Sequence, residues 1–233
     1  TMRNAPWVAH IQICGTLQPH HEGAMVISMQ TGFNARAAIT AIALAEQGIV
    51  GASGVLEGKY GYFRLFEGEY EVNAEVANLG KVWHVEKVSH KPFPTGRLTQ
   101  GVIEAALSLC DAYNIEPQEI TGCEAMVPPL VERLVGRPLA NKTPSAQYAK
   151  LSIPFVLAIA LIRKKVSIDD FQANALSDPL IHSMADRISV VRDPQILDEN
   201  AMMPVRLRIY LRSGVVHELR LEQIMGHPDK AFS

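Results

Sequence analysis

Cysteine is scarce in this chain and badly spaced for any covalent framework. Cys14, Cys110 and Cys123 are the only three in 233 residues. An odd number of distant thiols without Cys-x-x-Cys spacing excludes a disulfide scaffold and a zinc ribbon. It fits a reducing cytoplasm in which each thiol serves as a small buried hydrophobe. Charge of one sign is missing as well: 22 Lys and Arg stand against 24 Asp and Glu, a formal net charge of −2. That balance gives no electrostatic reason for a nucleic-acid or acidic-membrane partner. The densest basic run, Arg163-Lys164-Lys165, reads as a solvated helix end. Long apolar runs are absent too, since the longest, Ser152 to Ile162, covers about 11 residues where a bilayer crossing needs about 20. It reads as a buried helix. Thr1 to Ala9 lack the charge-then-apolar order of a signal peptide, and no repeat or low-complexity stretch is visible.

What is present is an ordinary globular balance, 48% hydrophobic and 20% charged, enough for one good core or two small ones. Phe33, Ala37, Thr40, Ala41 and Leu44 predict a helix over Gly32 to Gln47, with Gly48 placed to end it. Gly51 to Gly68, with Tyr60, Tyr62, Phe63 and Phe66, predicts short helices and turns packed on a core. Val82, Trp83, Val85 and Val88 predict a strand over Lys81 to Ser89. Leu98, Val102, Ala105, Ala106, Leu109 and Tyr113 then form one face of a helix. Ile120 to Met126 reads as a strand, and Pro144 to Ile162 as a long helix bent near Pro154. Asp169 and Asp170, after Ser167, are placed to cap a helix. Asp178 to Arg187 predicts a helix running into the strand Ile188 to Arg192. Val205, Leu207, Ile209 and Leu211 alternate with polar residues as a half-buried strand, and Ser213-Gly214 turns it into a hairpin ending near Glu222. The boundary between a helical part and a mixed part falls at Asn78-Leu79-Gly80.

Chemistry is most concentrated in His90 to Arg97. Pro92 and Pro94 stiffen the backbone, Gly96 permits close approach, and a helix begins near Arg97. Free N–H groups at a helix start favour an anion, and Lys91 and Arg97 add two cations. Arg binds a carboxylate in a bidentate way, while Lys offers a compact charge or a transferable proton. From the residues alone, a proline-rich turn with solvated charges is the plainer reading. His20, His21 and Glu22 lack metal-ligand spacing and read as a polar loop. His84, His182 and His217 are isolated, and Gly58 and Gly61 are too sparse for a phosphate loop.

The string KPFPTGRLTQGVIEAALSL resembles the MmgE/PrpD signature, in which Lys-Pro-aromatic-Pro leads into a helix. TGFNARAAITAIALAEQGIVGASGVLEGKYGYF, SAQYAKLSIPFVLAIALI and FQANALSDPLIHSMADRISVVRDP agree in order and spacing, from about Leu17 to the closing GHPDKAFS. The family includes 2-methylcitrate dehydratase, cis-aconitate decarboxylase and an epimerase of a dicarboxylate imine. The resemblance implies an α+β chain: a partial all-helical domain over residues 1–79, then a smaller α+β lid over residues 80–233. It also implies a homodimer, no metal and no organic cofactor, and a small tricarboxylic or dicarboxylic acid as ligand. Lys91 matches a site lysine of the decarboxylase branch, and Arg97 the basic residue of Lys-Pro-x-Pro-x-x-Arg. The expected site is Lys91 as the catalytic residue, with Arg97, Gly96 and Gln100 binding substrate.

The departures are specific. Ile27 and Gln30 stand where many members carry lysine and histidine, Gln100 where a histidine is frequent, and Phe155 where the decarboxylase branch has tyrosine. Each removes a charge or a proton donor and argues against decarboxylation. Full members are about twice as long, so the chain reads as a middle and lid portion, expected to be catalytically silent and association-prone by itself. A dehydratase of 2-methylcitrate or a similar hydroxy acid leads, with an epimerase, isomerase or decarboxylase of the same family, or a non-catalytic fragment, as alternatives.

Overall fold

The structure is a computed structural model, and it describes residues 4–10, 12, 17–67, 70–139 and 144–232, without the side chains of 74 and 75. The helices are α1 (Ala5–His10), α2 (Gln18–Glu22), α3 (Gln30–Glu46), α4 (Val72–Asn78), α5 (Gln100–Tyr113), α6 (Pro129–Val135), α7 (Ala146–Ala149), α8 (Ile153–Arg163), α9 (Ala173–Leu176) and α10 (Pro179–Ala185). The strands are β1 (Ile120–Val127), β2 (Ile188–Arg192), β3 (Val205–Leu211) and β4 (Val216–Leu221). The chain is thus α+β, helical at first and then a mixed sheet packed with helices. It divides into two compact units, Thr1–Pro19 with Met25–Trp83, and His20–Ala24 with His84–Ser233.

In the first unit α1 packs on α3. α3 starts two residues before the predicted Gly32, and Gly48 ends it as expected. Gly48 takes a left-handed φ of +84°, and the Ile49 N–H reaches back to the Leu44 carbonyl at 3.1 Å, the turn that glycine makes cheap. The buried side differs from the expected one. Only Ala41 and Ala45 of α3 are buried, with Val8 and Val55, while Phe33 and Leu44 are exposed. Small residues let α1 approach closely, and that approach selects the alanine side. The glycine-rich stretch forms turns and a single π turn at Phe63–Glu67. Its aromatics pack on one another, Phe63 on Tyr70 at 4.7 Å and Tyr62 on Phe66 at 5.1 Å, rather than on a core.

The second unit carries the large core. Its sheet has the order β2-β1-β3-β4, with β1 and β2 parallel and the remaining pairs antiparallel. Val205, Leu207 and Ile209 of β3 point inward, as the alternation requires. β1 buries Ile120 and then Cys123, Ala125 and Val127, an odd step explained by the register shift between Ile120 and Gly122. α5 and α8 pack together, α5 against β3 and β4, and α8 against β2 and α10. α8 is buried from Ile153 to Leu161, the enclosure that an unbroken apolar run predicts. α5 is buried all round its first two turns, beyond the predicted face, whereas Tyr113 is exposed and stacks on His217 at 3.9 Å.

Three local expectations change. Lys81 to Ser89 is not a strand: a 3-10 turn spans His84–Lys87, and Val82, Trp83, Val85 and Val88 are exposed. A strand needs a paired neighbour, and this segment pairs with none of the four strands of the sheet. The long helix over Pro144 to Ile162 is broken, not bent. Ser145 caps α7 by accepting from Tyr148 N–H at 3.0 Å, and Pro154 lies in the first turn of α8, where a missing N–H costs nothing. Nor is the Arg163 run merely solvated. Arg163 pairs with Asp170 and, at 3.3 Å, with Asp178, and Lys164 donates to the Ile115 carbonyl. Asp170 also closes a capping box with Ser167, as the sequence suggested. Cys110 and Cys123 are buried, and Cys14 lies outside the described residues.

Candidate functional site

The proline segment is held from below by one buried amide. Gln100, at the first turn of α5, is wholly enclosed. Its Oε1 accepts from Phe93 N–H at 3.1 Å, and its Nε2 donates to Phe93 O, Thr95 Oγ1 and Gly96 O at 3.2, 2.7 and 3.1 Å. Thr99, also fully buried, donates to Thr95 Oγ1 at 2.8 Å and lies 2.9 Å from Gly96 O. Two short polar side chains thus satisfy a loop that its prolines cannot satisfy alone.

Gly96 has an extended backbone, φ −61° and ψ 149°, so no left-handed geometry demands glycine. Space is tight instead: a Cβ there would come 2.6 Å from Leu151 Cδ2, the end of a flexible side chain that would have to move aside. The Gly96 N–H donates to Lys150 O at 3.1 Å. The close approach foreseen at Gly96 is therefore to Leu151, and its N–H is already bonded.

Lys91 and Arg97 are brought together. They line one cleft of about 600 Å³ with Met202, Met203, Gln223 and His227, and with Ser89 beside them. Gly96 and Gln100 are not among its lining residues and act on it through the loop. Lys91 is exposed and donates to Thr95 O at 3.3 Å. Arg97 is half-buried, and that burial draws its guanidinium below the ordinary arginine value. It stays charged at neutral pH, yet among the described residues it makes no hydrogen bond and no ion pair with a carboxylate. A partly desolvated cation without a carboxylate partner has the chemistry to accept an anion.

The other wall is the turn after β4, whose contribution the sequence reading missed. Glu104 of α5 is buried, accepts Met225 N–H at 2.8 Å and pairs with Lys230 Nζ at 2.5 Å. Lys230 Nζ also donates to Gln223 O at 3.1 Å. The turn meets the proline segment backbone to backbone, His90 N–H donating to Gly226 O at 2.8 Å. Gly226 has φ +83°, and a Cβ on it would fall 2.2 Å from His90 O. Only glycine allows this approach, and a glycine before a His-Pro turn was the available signal.

The substituted positions sort differently. Phe155 is fully buried, with its ring 6.4 Å from that of Phe171 and 6.2 Å from that of His182. Ile27 and Gln30 belong to the first unit. His20 and His21 offer their carbonyls to Arg137, and among the described residues no group of three or more His, Cys, Asp or Glu is placed to hold a metal. No described helix is long and apolar enough to cross a membrane.

No curated protein matches the chain. Residues 93–233 match the MmgE/PrpD C-terminal domain and residues 1–75 the MmgE/PrpD N-terminal domain, and the chain belongs to the MmgE/PrpD family.

Proposed function

We propose that the chain serves a lyase reaction on a small polycarboxylic acid, the dehydration of 2-methylcitrate or a similar hydroxy acid. The observation that carries this reading is Arg97, a half-buried guanidinium with no carboxylate partner among the described residues, opening with Lys91 into one cleft. In dehydration a base takes the proton from the carbon beside a carboxylate, negative charge spreads onto that group, and the neighbouring C–O bond breaks as the hydroxyl takes up a proton and leaves as water. Cations fixed before the reaction stabilise the developing charge most effectively. Lys91 is assigned the catalytic role, as a compact cation able to pass a proton. Arg97 binds a second carboxylate in bidentate fashion, and Gly96 and Gln100 keep both cations in register. The ligand class is a tricarboxylic or dicarboxylic acid, handled without a metal or organic cofactor by a cytoplasmic homodimer.

A non-catalytic role is the second reading, favoured by Gln100 and Phe155. The first spends its amide on the loop and the second is closed inside the core, so neither position offers a free proton donor. Incubation with 2-methylcitrate in heavy water separates the readings. Alkene formation supports the dehydratase, and deuterium exchange without alkene indicates an epimerase. Citrate binding with neither outcome leaves a binding protein.

A further inference from the structure

We propose that His227 is a third ligand-binding residue of the cleft, donating its Nε2–H to a carboxylate of the acid held by Lys91 and Arg97. The proposal rests on the acid-binding reading above. His227 lines the cleft, and its side chain is largely enclosed, 24% exposed. Its Nδ1 is 3.2 Å from the Asp229 N–H, which donates to it. In the neutral ring this places the remaining hydrogen on Nε2. If the ring is protonated, Nδ1–H faces the Asp229 carboxylate 3.4 Å away, and Nε2 carries a hydrogen again. Nε2 is therefore a donor in both charge states, on a ring that lines the same cleft as the two cations.

The ring is also held in place. Gly226 is locked against His90 and the turn is tied to buried Glu104 through Met225 and Lys230, so little side-chain freedom remains to be lost on binding. Three donors from two separate segments suit an acid with carboxylates on different carbons better than a monocarboxylate.

The test is histidine-selective NMR on the protein titrated with citrate, read alongside calorimetry. A carboxylate accepting from Nε2–H should move the His227 ring signals as citrate is added, most of all at Nε2. His227→Asn keeps an acceptor for Asp229 N–H, and with it the turn, and should weaken citrate about tenfold, the loss of one charge-assisted hydrogen bond. Should this variant disturb the turn, the wild-type titration still decides. Citrate binding that depends on Arg97 while the His227 ring signals stay unmoved overturns the role of His227 and leaves the acid-binding reading intact. No citrate binding by the wild type overturns both.

Discussion

Gln100 grips the backbone of Phe93 from both sides, accepting its N–H at 3.1 Å and donating to its carbonyl at 3.2 Å. Gln100 is buried and lines no part of the cleft, whereas Lys91 and Arg97 do, so the loop between the two cations is held by a side chain outside the cleft. Gln100→Leu has about the right volume and no polar atoms. It should cost about 2–3 kcal/mol, because the buried loop groups lose their partners. Urea denaturation measures that loss, and citrate calorimetry should show weaker binding in the same variant. Unchanged stability would mean that the loop finds other partners.

Lys91 and Arg97 carry the charge of the site. Lys91→Ala should weaken citrate about tenfold or more, since it removes a cation from a partly desolvated cleft. Arg97→Lys should also be harmful despite keeping the charge, because the bidentate fork is lost. Equal affinity of the wild type and both variants by calorimetry would refute the placement.

Glu104 joins α5 to the turn that brings His227. Glu104→Ala should cost about 2–4 kcal/mol, since Met225 N–H and Lys230 lose a buried acceptor. Amide exchange should localise the effect, with Met225 and Gly226 losing protection while β1 and β3 keep theirs. Uniform loss across the sheet would contradict a local tie.

Burial pushes the Cys123 thiol up to about 12. The protonated thiol is favoured in the folded state, so this contribution to stability is complete below the ordinary thiol value near 9. It is lost as pH rises from there toward about 12, because the unfolded chain ionises first. The slope from this thiol reaches about 1.4 kcal/mol per pH unit. Denaturation at several alkaline pH values, compared with Cys123→Ala, should show a shallower decline in the variant. Parallel curves would mean that the thiol ionises alike in both states.

The sequence by itself determined whatever depends on neighbours along the chain. The alternation at Val205 to Leu211 is a strand because period two puts every second side chain on one face. Gly48 ends α3 through its own backbone freedom, and Ile153 to Leu161 is buried because it has no polar side. The Lys91–Arg97 pair was legible because both cations flank one stiff segment. Tertiary structure decided the rest. Lys81 to Ser89 has a strand's composition but is paired with no strand of the sheet, and α3 buries its alanines because α1 approaches there. Likewise, His227 joins Lys91 in the cleft through Gly226 and Glu104, contacts that span more than a hundred residues. Periodicity and propensity are local properties, whereas a cleft is formed by distant segments, and no spacing along the chain records their meeting.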